Sequence, residues 1–186
     1  MKSDIIELCN VEIIAKKDNK VVYKCDGHNV WTSTGREYSC LLKTYRPTGE
    51  PYRDDRIAYI GLGTGSQIES VSVDRLVNPI PFNASGAWLK RIDDVRTQFL
   101  QGTRKTSVRF SASFNTAEIS FGNSTLVEIS ECGLFTDGLN VEPYTRGARD
   151  LTIANSTSQG PVAYHAFDPI PKTPNLEIEI IWELRH

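Results

Sequence analysis

LEIEIIWELR, from Leu176 to Arg185 near the end of the chain, is the stretch whose reading decides the fold. Leu176, Ile178, Ile180, Trp182 and Leu184 occupy alternate positions, and Glu177, Glu179, Glu183 and Arg185 stand between them. A period of two is the signature of a β-strand, because successive side chains point to opposite sides of the pleat. One face of this strand is therefore expected in a core with Trp182 at its centre. The other face is wet or covered by a partner.

The same period recurs upstream. In TSVRFSASF, Val108, Phe110, Ala112 and Phe114 alternate with Arg109, Ser111 and Ser113. In VEISECGLFTDG, Val127, Ile129 and Glu131 are expected on one face and Glu128 and Ser130 on the other. An Ile/Val-rich run from Asp4 to Ala15 passes through KKDNK to VVYKC, and Asp18-Asn19 is turn chemistry, so residues 1–27 read as an N-terminal hairpin or arm. Thr34 is the expected N-cap of one short helix carrying Tyr38, Leu41, Leu42 and Tyr45. Two loops hold prolines: Arg46 to Arg56, with Pro47 and Pro51, and Asn78 to Trp88, with Pro79 and Pro81. Many strands with at most one or two helices predict a single mainly β domain over residues 1–186, an antiparallel β-sandwich of jelly-roll-like type with long Pro/Gly-rich loops.

Composition narrows the function. The chain has 186 residues, 39% hydrophobic and 24% charged, with a net charge of −2. That suits a packed domain and argues against a protein whose main work is neutralising phosphates, so no nucleic-acid partner is expected. No apolar run approaches the roughly 18 residues that span a membrane, and MKSDIIELCNVEII does not read as a signal peptide. Cys9, Cys25, Cys40 and Cys132 form no CxxC pair and read as free thiols, with a Cys9–Cys25 bridge across the hairpin as the alternative.

Gly61, Gly63 and Gly65 in IAYIGLGTG follow a strand, but the spacing is not GxGxxG, no Lys-Ser/Thr follows and no βαβ pattern surrounds it, so a tight turn needing positive φ is the expected reading. The three histidines (His28, His165 and His186) show no nucleophile pattern, and the paired acids at Asp54-Asp55 and Asp93-Asp94 read as solvated. Lys90, Arg91, Arg96, Arg104, Lys105 and Arg109 form a basic stretch without interleaved aromatics, which reads as a polar sheet face. No catalytic residue, cofactor or metal site is expected.

Taken in order, VWTSTGREYSCLLK, IAYIGLGTG, ISECGLFTDG and AFDPIPKTPNLEIEIIWELRH resemble a family of small bacteriophage virion proteins. The middle of the chain also resembles the virion-attachment domain at the start of some tail-fibre proteins. The resemblance covers roughly residues 28 to 186 with gaps, and departs most between Ser66 and Ala87. It implies a non-enzymatic building block of the particle, assembled in the host cytoplasm as a homo-oligomer among other phage structural proteins. A tail, collar or baseplate component docking other tail parts is favoured over a capsid decoration (cement) protein.

In that light Glu131 is expected to be a structural acid receiving backbone N–H groups near the turn. Gly133 would let Leu134 and Phe135 fold back onto the core, Asp137-Gly138 would turn the chain, and Lys172 would pair ionically with Glu131. Ile80, Phe82 and Trp88 are the candidate interface anchors, since aromatics dominate buried interface centres. A carbohydrate-binding or carbohydrate-cleaving sandwich is the reading from another class, resting on Trp88, Tyr52 and Tyr144 in loops.

Overall fold

The structure is a computed structural model, and it describes residues 8–36, 57–83, 87–100, 105–115, 118–136, 141–143, 153–157 and 160–185. It is mainly β, with two antiparallel sheets packed on each other. In chain order the strands are β1 (Leu8–Lys17), β2 (Lys20–His28), β3 (Val30–Trp31), β4 (Ile57–Gly63), β5 (Leu89–Arg91), β6 (Asp94–Leu100), β7 (Lys105–Phe114), β8 (Val127–Thr136), β9 (Val141–Pro143), β10 (Ile153–Thr157), β11 (Ala163–Lys172) and β12 (Glu177–Arg185). One sheet has the order β2-β1-β12-β7-β6, and the other β3-β11-β8-β4-β5-β10-β9.

The last strand lies beside the first, and β11 beside both β3 and β8. Those neighbourhoods, β1–β12–β7 facing β3–β11–β8, are those of a jelly roll. The next place in each sheet is filled by β6 and β4, which precede β7 in the chain.

The alternation in β12 sets the core. Trp182 stands between Val11 on β1 and Phe110 on β7, Ile180 between Ile13 and Ala112, and Ile178 between Ala15 and Phe114. All nine side chains are buried. Opposite them, Leu62, Ile129, Cys132 and Leu134 close the core from the second sheet.

The first hairpin turns at Asp18 and Asn19, both with positive φ (50° and 61°). A two-residue turn with both φ positive matches the twist of the flanking strands, and Asp and Asn tolerate that conformation. The hairpin is not a detachable arm: β1 lies between β2 and β12 and contributes Val11, Ile13 and Ala15 to the core. Only its tip projects.

Two local expectations are corrected. The helix begins at residue 33, and its cap is Thr32, whose Oγ1 accepts the Gly35 N–H at 3.1 Å. Thr34 lies inside the helix, and the stretch Tyr38 to Tyr45 falls outside the described residues, as do the loop Arg46 to Arg56 and Asp137-Gly138.

Ile80 and Phe82 are core residues, not surface anchors. Both are buried, and Phe82 stacks on Phe114 at 6.2 Å. The segment Pro79–Phe82 runs extended, with the Ile80 N–H donating to the Leu62 carbonyl at 2.8 Å and the Ser120 N–H to the Pro81 carbonyl at 2.7 Å. Proline's fixed φ suits extended backbone and forbids only its own N–H bond. Prolines at alternate positions therefore leave Ile80 and Phe82 free to face inward.

Candidate functional site

The outer face of the second sheet is covered over β4, β5, β8 and β11. Between Gly63 and Pro79 the chain leaves β4 and returns as an Ω-loop, its neck closed by the Thr64 N–H donating to the Asn78 carbonyl at 2.9 Å. Val73 and Leu76 of this loop are buried with Tyr59, Leu89, Phe135 and Tyr164 in a second apolar cluster outside the main core.

Glycines make the close approach possible. On neighbouring strands Gly61 pairs with Gly133 and Gly63 with Glu131. A Cβ on Gly61 would meet Leu76 and Trp88 at 3.0 and 3.1 Å, and one on Gly63 would meet the Glu131 carboxylate at 2.3 Å. These glycines serve by lacking a side chain. Gly122 is the glycine with positive φ among the described residues, so the expectation of a positive-φ turn at Gly61, Gly63 and Gly65 is corrected.

Glu131 pins the loop to this floor. Its side chain is fully buried, and its Oε1 accepts the N–H groups of Gly65 (3.2 Å) and Asn78 (3.0 Å). Oε2 accepts the Val77 N–H (3.1 Å) and the Tyr164 hydroxyl (3.0 Å). Both ends of the loop therefore converge on one carboxylate, and four donors occupy its lone-pair sites. Ser130 adds a bond from its hydroxyl to the Gly65 carbonyl at 2.8 Å. Burial together with the Glu131 charge pushes the Tyr164 hydroxyl well above its ordinary pKa, so it stays a donor.

The face expected for Glu131 is corrected: it points under the loop, away from Ile129. Ile129 and Cys132, three residues apart, both join the main core, so the alternation slips beside an irregular pairing between Ala166 and Ile170 on β11. Because both faces of β8 are covered, residues 129–136 are all buried. Leu134 packs in the main core and Phe135 in the outer cluster.

Lys172 does not pair with Glu131. It ends β11 opposite Val127, four residues along β8 from Glu131. Its ammonium donates to the carbonyls of Asn115 (3.3 Å), Thr173 (3.4 Å) and Leu176, and lies 5.7 Å from the Phe121 ring centre. Burial lowers its pKa to about 8, opposed by the charges of Glu118 and Glu177. Lys90 is also turned inward and donates to both oxygens of Glu118 at 2.8 Å, so it is not part of a basic surface.

Trp88 is half-buried and packs against the outer cluster, with its ring edge-on to Phe135 at 5.4 Å. Tyr52 and Tyr144 lie outside the described residues.

Sequence reasoning missed a second tether of the loop. Glu69 accepts the Ala166 N–H at 2.8 Å and shares a hydrogen with Nδ1 of His165 at 2.8 Å. The other side of that ring lies against Gly27 of β2, where a Cβ would sit 2.2 Å from Nε2. No local pattern marks Glu69, Tyr164 or His165, because their partners lie on other strands. The loop back is held as well: Ser33 donates from both N–H (2.7 Å) and hydroxyl (2.8 Å) to the Val71 carbonyl.

The outer face of the five-stranded sheet is open and polar. His28, Asn10, Glu183, Arg109 and Arg96 form one row across its five strands, and Asp26, Glu12, Ile181, Ser111 and Asp94 the next. A groove of about 330 Å³ lies over the part of these rows contributed by β2, β1, β12 and Arg109 of β7. Glu12 is shared by Lys24 (2.6 Å) and Arg109 (3.6 Å). Among the described residues no group of three or more His, Cys, Asp or Glu is arranged to hold a metal ion.

No family model matches the chain, and neither a curated protein nor a solved structure matches it.

Proposed function

We propose that this chain is a non-enzymatic structural protein of a bacteriophage particle, assembling as a homo-oligomer in a tail, collar or baseplate and docking other tail parts. The observation that carries the reading is the meeting of two of the motifs behind the resemblance. The GLGTG and ISECGLF segments, some 70 residues apart, form one locking unit in which Glu131 clamps the Ω-loop over a glycine floor. A carboxylate whose lone pairs are all engaged serves as a fastener and has no open site for a general base. The motif order thus reads as an architectural module suited to a part that is assembled once and stays.

Immunogold labelling of purified particles with an antibody against this chain tests the proposal. Label on the tail, collar or baseplate supports it, label over the capsid shell favours the decoration reading, and particles free of the chain overturn both.

A further inference from the structure

Among the described residues each sheet has two edge strands, β2 and β6 in one and β3 and β9 in the other. An edge strand presents unpaired N–H and C=O groups, and proteins blunt such edges with short strands, proline, bulges or lysines. Three of these four edges carry such a device. β3 has two residues, and β9 has three and ends on Pro143. In β2 the register shifts where Lys16 pairs with Val21, so Val22 is an extra, bulged residue, and Lys20 and Lys24 stand on the strand.

β6 carries none of them. Its seven residues include neither proline nor lysine and pair with β7 in unbroken register from Asp94 to Leu100. Residues 95–98 are exposed, so neither face of the strand is covered there, and Val95 is 54% exposed although its neighbour Phe110 on β7 is in the core. Asp94 and Arg96 bond each other at 2.5 Å, and the strand is neutral over its length. Nothing in its charge keeps a second strand away.

We propose that β6 pairs antiparallel with β6 of a second copy of this chain, about a twofold axis at Thr97, joining two five-stranded sheets into one.

The occupant follows from the edges. A second copy offers one unblunted edge among its described strands, its own β6, and a twofold contact closes both edges at once where a heterologous contact leaves one open. Thr97 is the midpoint of the strand, so this centring alone pairs all seven residues. Thr97 then stands opposite its own copy, Arg96 opposite Gln98, Val95 opposite Phe99 and Asp94 opposite Leu100, with no like charges facing each other. Centring on Arg96 would set two guanidinium groups opposite each other. The inference supplies the contact for the homo-oligomer of the proposed function and rests on that part of it.

Sedimentation velocity and hydrogen exchange over a concentration series test it. The wild type should dimerise, and the β6 amides that point away from β7 should gain protection as concentration rises. Thr97→Lys and Thr97→Asp, at an exposed position, should each weaken association at least about tenfold, because like charges then face each other on the axis, and a mixture of the two should restore it. Val22→Lys, on the blunted edge of β2, should associate like the wild type. The exchange readout on the wild type stands if a variant fails to fold. A wild type that stays monomeric to millimolar concentration, β6 amides that stay unprotected in a dimer, a mixture that does not recover, or a Val22→Lys variant that loses association would each overturn the proposal. Particles free of the chain, with dimerisation through β6 intact, would overturn the virion reading and leave this contact standing. A chain that is present in particles but never dimerises would do the reverse.

Discussion

The carboxylate of Glu131 on β8 accepts the hydroxyl of Tyr164 on the neighbouring strand β11 at 3.0 Å. The bond ties two strands of one sheet to the loop above them, because the same carboxylate holds the amides of Gly65, Val77 and Asn78. Loop, sheet and outer apolar cluster are thereby one mechanical unit.

Replacing Glu131 by alanine strands the buried Tyr164 hydroxyl and three partly buried amides and should cost about 2–3 kcal/mol, since a buried donor left unpaired costs about 1–3 kcal/mol and partly buried amides regain water. Denaturant titration measures the loss, and hydrogen exchange at Val77 and Asn78 should accelerate beyond the global change. Gly63→Ala should act through the same clamp, because its Cβ would fall 2.3 Å from a carboxylate that four bonds hold in place. A loss under about 1 kcal/mol for Glu131→Ala would show that the loop is held without it.

Trp182→Ala should cost about 3–5 kcal/mol, the range for emptying a large aromatic site in a packed core. The ring is flanked by Val11 and Phe110 on the adjacent strands, so collapse into the cavity requires both sheet neighbours to move. A small loss in the same titration would mean that the rung does not form.

Lys172 should make stability rise with pH above neutrality. Its folded pKa of about 8 lies below the usual 10.5, so between these values the unfolded chain binds the extra proton and folding gains as pH rises. The gain approaches about 3 kcal/mol by pH 10.5 if the full shift acts. The neutral amine still donates to the carbonyls around it. Tyr164 and Cys132, both raised by burial, pull the other way, since each ionises more readily once unfolded. The difference between wild type and Lys172→Met across pH 7 to 10.5 isolates the lysine, and a flat difference would contradict the assignment.

Cys25 should alkylate readily under native conditions and Cys132 only on unfolding. Cys25 is partly exposed near the sheet edge, whereas Cys132 is fully buried and its thiol pushed well above its ordinary pKa by burial and by Glu69 and Glu131. Non-reducing mass spectrometry should find no Cys9–Cys25 bridge. Cys25 pairs with Ile13, four residues along β1 from Cys9, which is beyond disulfide reach.

The sequence alone determined the strands wherever the period of two is strong, as in β7 and β12, because that period comes from the backbone of the strand itself. It also marked Glu131 as an acid bound to backbone amides, since a carboxylate inside an apolar strand beside glycines needs such donors. Only the tertiary structure decided which amides they are, because Val77 and Asn78 lie more than 50 residues upstream and reach Glu131 through the strand order. It likewise turned Ile80 and Phe82 inward, put Lys172 on three carbonyls and moved the helix cap to Thr32. Each of those outcomes depends on which distant strand lies alongside, and local periodicity carries no information about that.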